Sequence, residues 1–125
     1  MKMKLELLPM AFTVCQLPAQ AQPGCHSPFT FLSRTDEEVS LVCPSADAPD
    51  DALQSEPGWR CLRVAGPLDF SLVGILARIA ACLAARSIPI FALSTFNTDY
   101  ILLKEEYLLA AQDALTQAGY DWIAS

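Results

Sequence analysis

Residues 59–84, WRCLRVAGPLDFSLVGILARIAACLA, carry the change of period that sets the architecture. Arg60 and Arg63 flank Cys61 and Leu62, so residues 59–65 read as a strand, which Gly66-Pro67 ends. Leu72, Ile75, Leu76, Ile79 and Leu83 then recur at three- and four-residue steps. That spacing predicts one buried helix face reaching about Ala85, with Arg78 and Arg86 off the stripe. Asp69 or Ser71 offers a side-chain oxygen to the unpaired N–H groups of the first turn.

Outward toward the C-terminus, Pro89 stops any helix, because its ring removes a donor and restricts Ile88. Residues 90–94 and 100–103 read as strands around a turn at 95–99. A second helix begins near Glu105, where Glu105 and Glu106 place negative charge at its positive dipole end. Leu108, Ala111, Leu115 and Ala118 form its buried stripe, Gly119 suits the left-handed terminal position, and residues 120–124 supply a short closing strand. The order is strand-helix-strand-strand-helix-strand. It predicts an α+β, ferredoxin-like (βαββαβ) sandwich, an antiparallel sheet with both helices on one face.

Outward toward the N-terminus the character changes near Pro57-Gly58. Residues 1–57 hold seven of the nine prolines and a charge of -5, from three basic and eight acidic side chains; residues 58–125 carry -1, from five and six. We therefore divide the chain into 1–57, mostly strands, and 58–125. Residues 4–8 and 12–17 read as two strands joined at Pro9-Met10. Residues 29–33 and 38–43 read as a hairpin turning at Thr35-Asp36-Glu37. Residues 44–57 form an acidic linker with one helical turn around 48–53. Lys2, Lys4 and Ala19-Gln20-Ala21 imitate a secretory signal, but Glu6, Pro9 and Pro18 interrupt its apolar core.

With 125 residues, 53 % hydrophobic and 18 % charged, the chain has material for a core. A charge of -6 disfavours nucleic acid and anionic membrane surfaces, both of which call for a basic face. No apolar run reaches the about 20 residues of a membrane-spanning helix. Cys15, Cys25, Cys43, Cys61 and Cys82 are odd in number, widely spaced and without a CxxC, so free thiols in a reducing cytoplasm are expected. No metal site and no cofactor is expected.

Catalytic constellations are sparse. His26 is the sole imidazole and lies in a proline-rich loop. The run Asp36-Glu37-Glu38 reads as a solvated turn. A thiol enzyme would need an exposed, acidified cysteine beside a cation, and Cys61 between Arg60 and Arg63 is the one candidate, although strand alternation favours its burial. A binding arrangement is better supported. Pro67, Leu68, Asp69, Phe70 and Ser71 link a strand to a helix N-terminus, whose free N–H groups can seat a carboxylate. Ser94, Thr95, Phe96, Asn97, Thr98 and Asp99 gather hydroxyls, an amide and a carboxylate in a turn, where Asp99 can receive an ammonium group. A plainer reading stays open, in which Asp69 only caps a helix and Asn97-Thr98-Asp99 only turn the chain.

The strings Leu62-Arg63-Val64-Ala65-Gly66-Pro67-Leu68-Asp69-Phe70-Ser71-Leu72-Val73-Gly74-Ile75-Leu76 and Ile90-Phe91-Ala92-Leu93-Ser94-Thr95-Phe96-Asn97-Thr98-Asp99-Tyr100-Ile101-Leu102 carry a resemblance. The run from Trp59 to Gly119 resembles the small ACT-domain proteins, related to the ACT modules of cytosolic arginine sensors and of aspartate-kinase-type regulatory domains. Residues 1–57 resemble a shortened partner module. Arg86-Ser87-Ile88-Pro89 departs from the glycine-bearing turn of many relatives. The resemblance implies a non-enzymatic, cytoplasmic regulatory protein that binds a small amino acid or related metabolite, pairs as a homodimer, and passes its signal to a separate effector protein. It implies a ligand site at Pro67–Ser71 and Ser94–Asp99, with Leu68, Phe70 and Phe96 toward the ligand side chain. The alternative is a protein–protein interaction module without a small ligand.

Overall fold

The computed structural model describes residues 3–65 and 73–123. Its strands are β1 (Lys4–Leu17), β2 (Phe31–Arg34), β3 (Val39–Pro44), β4 (Gln54–Val64), β5 (Phe91–Ser94), β6 (Asp99–Lys104) and β7 (Asp121–Ile123); its helices are α1 (Ile75–Ala84) and α2 (Leu108–Gln117). The chain divides into two compact units, one of Met1–Pro9 with Arg60–Ser125 and one of Met10–Trp59.

In the first unit the strand order is β7-β1-β4-β6-β5. Period-2 alternation sends Leu5 of β1, Leu62 and Val64 of β4, and Ile101 and Leu103 of β6 to one face. There they meet Ile75, Ile79 and Leu83 of α1 and Ala111 and Leu115 of α2 in a single apolar cluster. Both helices therefore cover one face of the sheet. Glu6, Arg63 and Tyr100, at the alternate positions, belong to the other.

Residues 58–125 do not close the expected βαββαβ sheet by themselves. The closing strand β7 pairs in parallel with β1, from Lys4↔Asp121 to Glu6↔Ile123, and β1 lies between β7 and β4. Leu5, fully buried, supplies the apolar contact that draws β1 into this position. The expected turn at Pro9-Met10 is absent too, and β1 runs unbroken through both residues. Met3 O accepts from Asp121 on one side of β1 and Lys4 O accepts from Ala65 on the other. Odd-numbered residues thus face the β7 side, and the β7 register ends at Glu6. The N–H that Pro9 lacks would point where β7 no longer runs, so proline is tolerated inside the strand.

The helices begin later than their sequence signals suggest. Gly74, at φ 78, is the N-cap of α1, which has no side-chain cap bond; Asp69 and Ser71, the expected caps, lie outside the described residues. Glu105–Tyr107 form a 3-10 turn, and α2 follows at Leu108 with Ala111, Ala114 and Leu115 buried, while Ala118 is its exposed C-cap. Gly119, at φ 102, takes the positive-φ position expected of it.

In the second unit β3 pairs antiparallel with β1, from Phe12↔Pro44 to Leu17↔Val39, and with β2 on its other side. Cys15, Leu17, Val39, Leu41 and Cys43 form its core. The expected helical turn around residues 48–53 is replaced by a 3-10 turn at Ser45–Asp47. No α-helix occurs among the described residues of this unit. Its hairpin nonetheless repeats that of the first unit at a constant offset of 60 residues, from Phe31↔Val42 to Arg34↔Val39 against Phe91↔Leu102 to Ser94↔Asp99. Thr35 and Thr95 close the two turns alike: each N–H donates to the carbonyl three residues on, and each hydroxyl accepts from that residue's N–H.

Candidate functional site

On the helix-free side of the first unit, a cavity of about 270 Å³ is lined by Glu6, Arg63, Ala65, Asn97, Thr98, Tyr100 and Ile123. Strand alternation builds it, since Glu6, Arg63 and Tyr100 project from β1, β4 and β6 away from the core. Arg63 donates from Nε and Nη2 to the same Glu6 oxygen, Oε1, at 3.2 and 2.7 Å. The Glu6 hydrogen bond holds the Arg63 guanidinium above its ordinary pKa; partial burial opposes this, and a hydrogen bond with Tyr100 adds to it. Both bonds use one carboxylate oxygen, side-on, rather than the two-oxygen fork of a bidentate pair.

The turn beside the cavity is tightly organised. Thr98 is buried, and its hydroxyl donates to Val64 O at 2.6 Å. That bond ties the β5–β6 turn to the last residue of β4. Thr95 N–H and hydroxyl both donate to Thr98 O, at 2.9 and 3.1 Å. Of the sequence-predicted residues, Asn97 and Thr98 line the cavity. Ser94 and Thr95 shape the turn instead. Asp99 accepts from Ser94 Oγ at 2.6 Å through Oδ1 and is not among the lining residues, because alternation along β6 turns it opposite to Thr98 and Tyr100. Phe96 is 81 % exposed. Pro67, Leu68, Asp69, Phe70 and Ser71 lie outside the described residues, and Ala65 leads the chain from the cavity wall toward them.

Glu6, Arg63 and Ile123 were not singled out as site residues from sequence. A lone acid in an otherwise apolar strand and a basic residue at an alternate position were visible signals. What linked them was the insertion of β1 beside β4, which no local pattern shows. Cys61, the candidate thiol, is fully buried, and that burial pushes its pKa up to about 12 against the lowering effect of Arg63. A protonated, inaccessible sulfur is no nucleophile. Among the described residues no helix is long and apolar enough to cross a membrane.

Comparison with known proteins bears on this geometry. A family model described as ACT domain matches residues 54–117. The chain is 31 % identical over 120 residues to cytosolic arginine sensor for mTORC1 subunit 1 of Rattus norvegicus, covering 87 % of this chain and 36 % of that protein. It is 47 % identical over 96 residues to the Bos taurus counterpart, covering 70 % and 29 %. The chain thus spans about a third of the length of these curated relatives. Among solved structures, an Agobacterium tumefaciens protein superposes with a TM-score of 0.89 at 31 % identity, covering all of this chain and 95 % of its own. The regulatory subunit of aspartate kinase from Thermus thermophilus superposes at 0.65 with 13 % identity, over 91 % and 95 % of the two chains, a likeness of fold alone.

Proposed function

The chain belongs to the ACT domain family, and on that premise we propose that it is a non-enzymatic regulatory module that binds a free amino acid at the Glu6–Arg63 cavity. The observation that carries the reading is the paired acid and base in one open recess beside the Asn97-Thr98 turn. A zwitterion presents a carboxylate to a guanidinium and an ammonium to a carboxylate, and such charge-assisted bonds are the strong, directional ones. Glu6, rather than Asp99, is then the ammonium partner. Asn97 supplies a further amide. Arginine is the first ligand to test, since the curated relatives are named as arginine sensors.

We read residues 1–57 as a shortened second module. The 60-residue offset between the two hairpins, each with its threonine-closed turn, supports that reading. A ligand shifts states only through its differential affinity, so output requires that the bound form favour one arrangement of modules, as a homodimer in the cytoplasm, or one effector protein. Titration calorimetry with arginine, then with the other common amino acids, tests the proposal. Saturable heat that disappears in Glu6→Gln and Arg63→Ala supports it. No heat with any amino acid, or binding unchanged in both variants, overturns it.

A further inference from the structure

The second unit collects three of the five cysteines at one place. Cys15 and Cys43 are buried in its core, and Cys25, half-buried on the connection after β1, packs against the same cluster. Residues 21–26 belong to no helix or strand. Cys25 thus packs against the cluster that holds Cys43, near enough to be among the groups that raise the Cys43 pKa. Cys25 also donates to Asp47 O and accepts from Thr30 Oγ1, each at 3.7 Å. Cys25 and His26 line a cavity of about 230 Å³ with Leu41 and Asp47. Among the described residues no group of three or more His, Cys, Asp and Glu has the geometry to hold a metal ion.

We propose that Cys25 and Cys43 are a reversible redox pair, with Cys25 the peroxide-reactive thiol and Cys43 the thiol that resolves it into an intrachain disulfide. Cys25 reaches solvent through the cavity, whereas Cys43 is fully buried, and burial raises its pKa to about 12, with Cys25, Cys15 and Asp47 adding to the rise. The first attack therefore belongs to Cys25. Its sulfur, as thiolate, attacks one oxygen of hydrogen peroxide; the O–O bond breaks, the sulfur is oxidised to sulfenic acid, and the departing hydroxide recovers the thiol proton as water. The Cys43 sulfur then attacks the sulfenic sulfur, the S–O bond breaks, and the hydroxyl leaves with the Cys43 proton as a second water. Two thiols and one peroxide give one disulfide and two waters.

The register excludes a direct bridge between Cys15 and Cys43. Thr13 faces Cys43 and Cys15 faces Leu41, so Cys15 and Cys43 are diagonal neighbours on one face. Diagonal positions in a sheet stand about 7–8 Å apart, beyond the roughly 6.8 Å that a disulfide spans between Cα atoms. Fixed strands cannot close that gap. Cys25, on an irregular segment and packed against the cluster that holds Cys43, has the freedom to do so. Cys15 is further engaged as acceptor from Ser55 Oγ at 3.7 Å.

The test is peroxide treatment of the reduced, full-length chain, alkylation under denaturing conditions, and peptide mass mapping. Cys15 and Cys25 share the tryptic peptide between Lys4 and Arg34, so Cys15→Ala is run in parallel to assign the bond. The expected result is a cross-link from that peptide to the one holding Cys43, kept in Cys15→Ala, lost in Cys25→Ser, and reversed by dithiothreitol. Over-oxidation of Cys25 while Cys43 stays alkylatable would overturn the proposal. So would a cross-link lost in Cys15→Ala, or thiols that all survive peroxide unmodified. Cys25→Ser changes a half-exposed side chain, and fragmentation of the cross-linked wild-type peptide between Cys15 and Cys25 assigns the bond without any variant.

Discussion

Thr98→Val removes one hydroxyl at nearly constant volume from a residue that is 6 % exposed. The lost bond, Thr98 Oγ1 to Val64 O at 2.6 Å, is short and buried. Its removal forfeits about 1 kcal/mol of net hydrogen bonding, and leaving a polar group unsatisfied in place brings the expected cost to about 1–3 kcal/mol. For a chain of this size that is a fall in Tm of roughly 4–12 °C. Thr98→Ser keeps the hydroxyl and gives up only a methyl group, so its loss should be the smaller. Urea and thermal unfolding of the three proteins read these values directly. In addition, hydrogen exchange should quicken at the 95–98 turn in Thr98→Val, because the turn is no longer tied to β4. Wild-type stability in Thr98→Val, or a larger loss in Thr98→Ser, would refute the assignment of that bond as the anchor of the cavity wall.

Alkaline titration should destabilise the fold from pH 9 upward. Cys61 and Cys43 both have raised folded-state values of about 12 against an ordinary 9.0. A raised value means the stabilisation is complete below pH 9 and is lost as pH climbs toward 12, at up to about 1.4 kcal/mol per pH unit for each thiol. Cys61→Ala should flatten that limb in a pH series of urea melts, and an unaltered slope would contradict the burial argument. Gly119→Ala places a side chain at φ 102 with open space around its Cβ, so its expected cost of about 1–3 kcal/mol is backbone strain alone; equal stability by chemical denaturation would count against it. Leu115→Ala should cost about 2–5 kcal/mol from a fully buried position between α2 and the sheet. Asp113→Asn, which weakens the exposed Arg86 pair, should change stability by less than about 1 kcal/mol in the same assay.

Much of this architecture was written in local pattern. The 3.6-residue stripe of Ile75, Ile79 and Leu83 became the buried face of α1, and Gly119 took the positive φ that its place after α2 requires. The hairpins at residues 31–44 and 91–104 were legible within one or two residues, because alternation and turn chemistry are properties of adjacent residues. Pro9 misled as a turn signal. A proline breaks a strand only where its missing donor is needed, and that depends on what lies across the strand edge.

The sequence by itself determined the α+β class, the order of elements from β4 to β7 and the polar turn at residues 94–99, all consequences of short-range sterics and periodicity. Only the tertiary structure decided the insertion of β1 between β7 and β4, and with it the meeting of Glu6 with Arg63 across 57 residues of chain. It also turned Asp99 onto Ser94 and brought Cys25 to the cluster that holds Cys43. Strand pairing between distant segments is selected by which apolar faces can be buried together, here Leu5 against Leu62 and Ile101. That selection belongs to the whole core rather than to any window of the sequence.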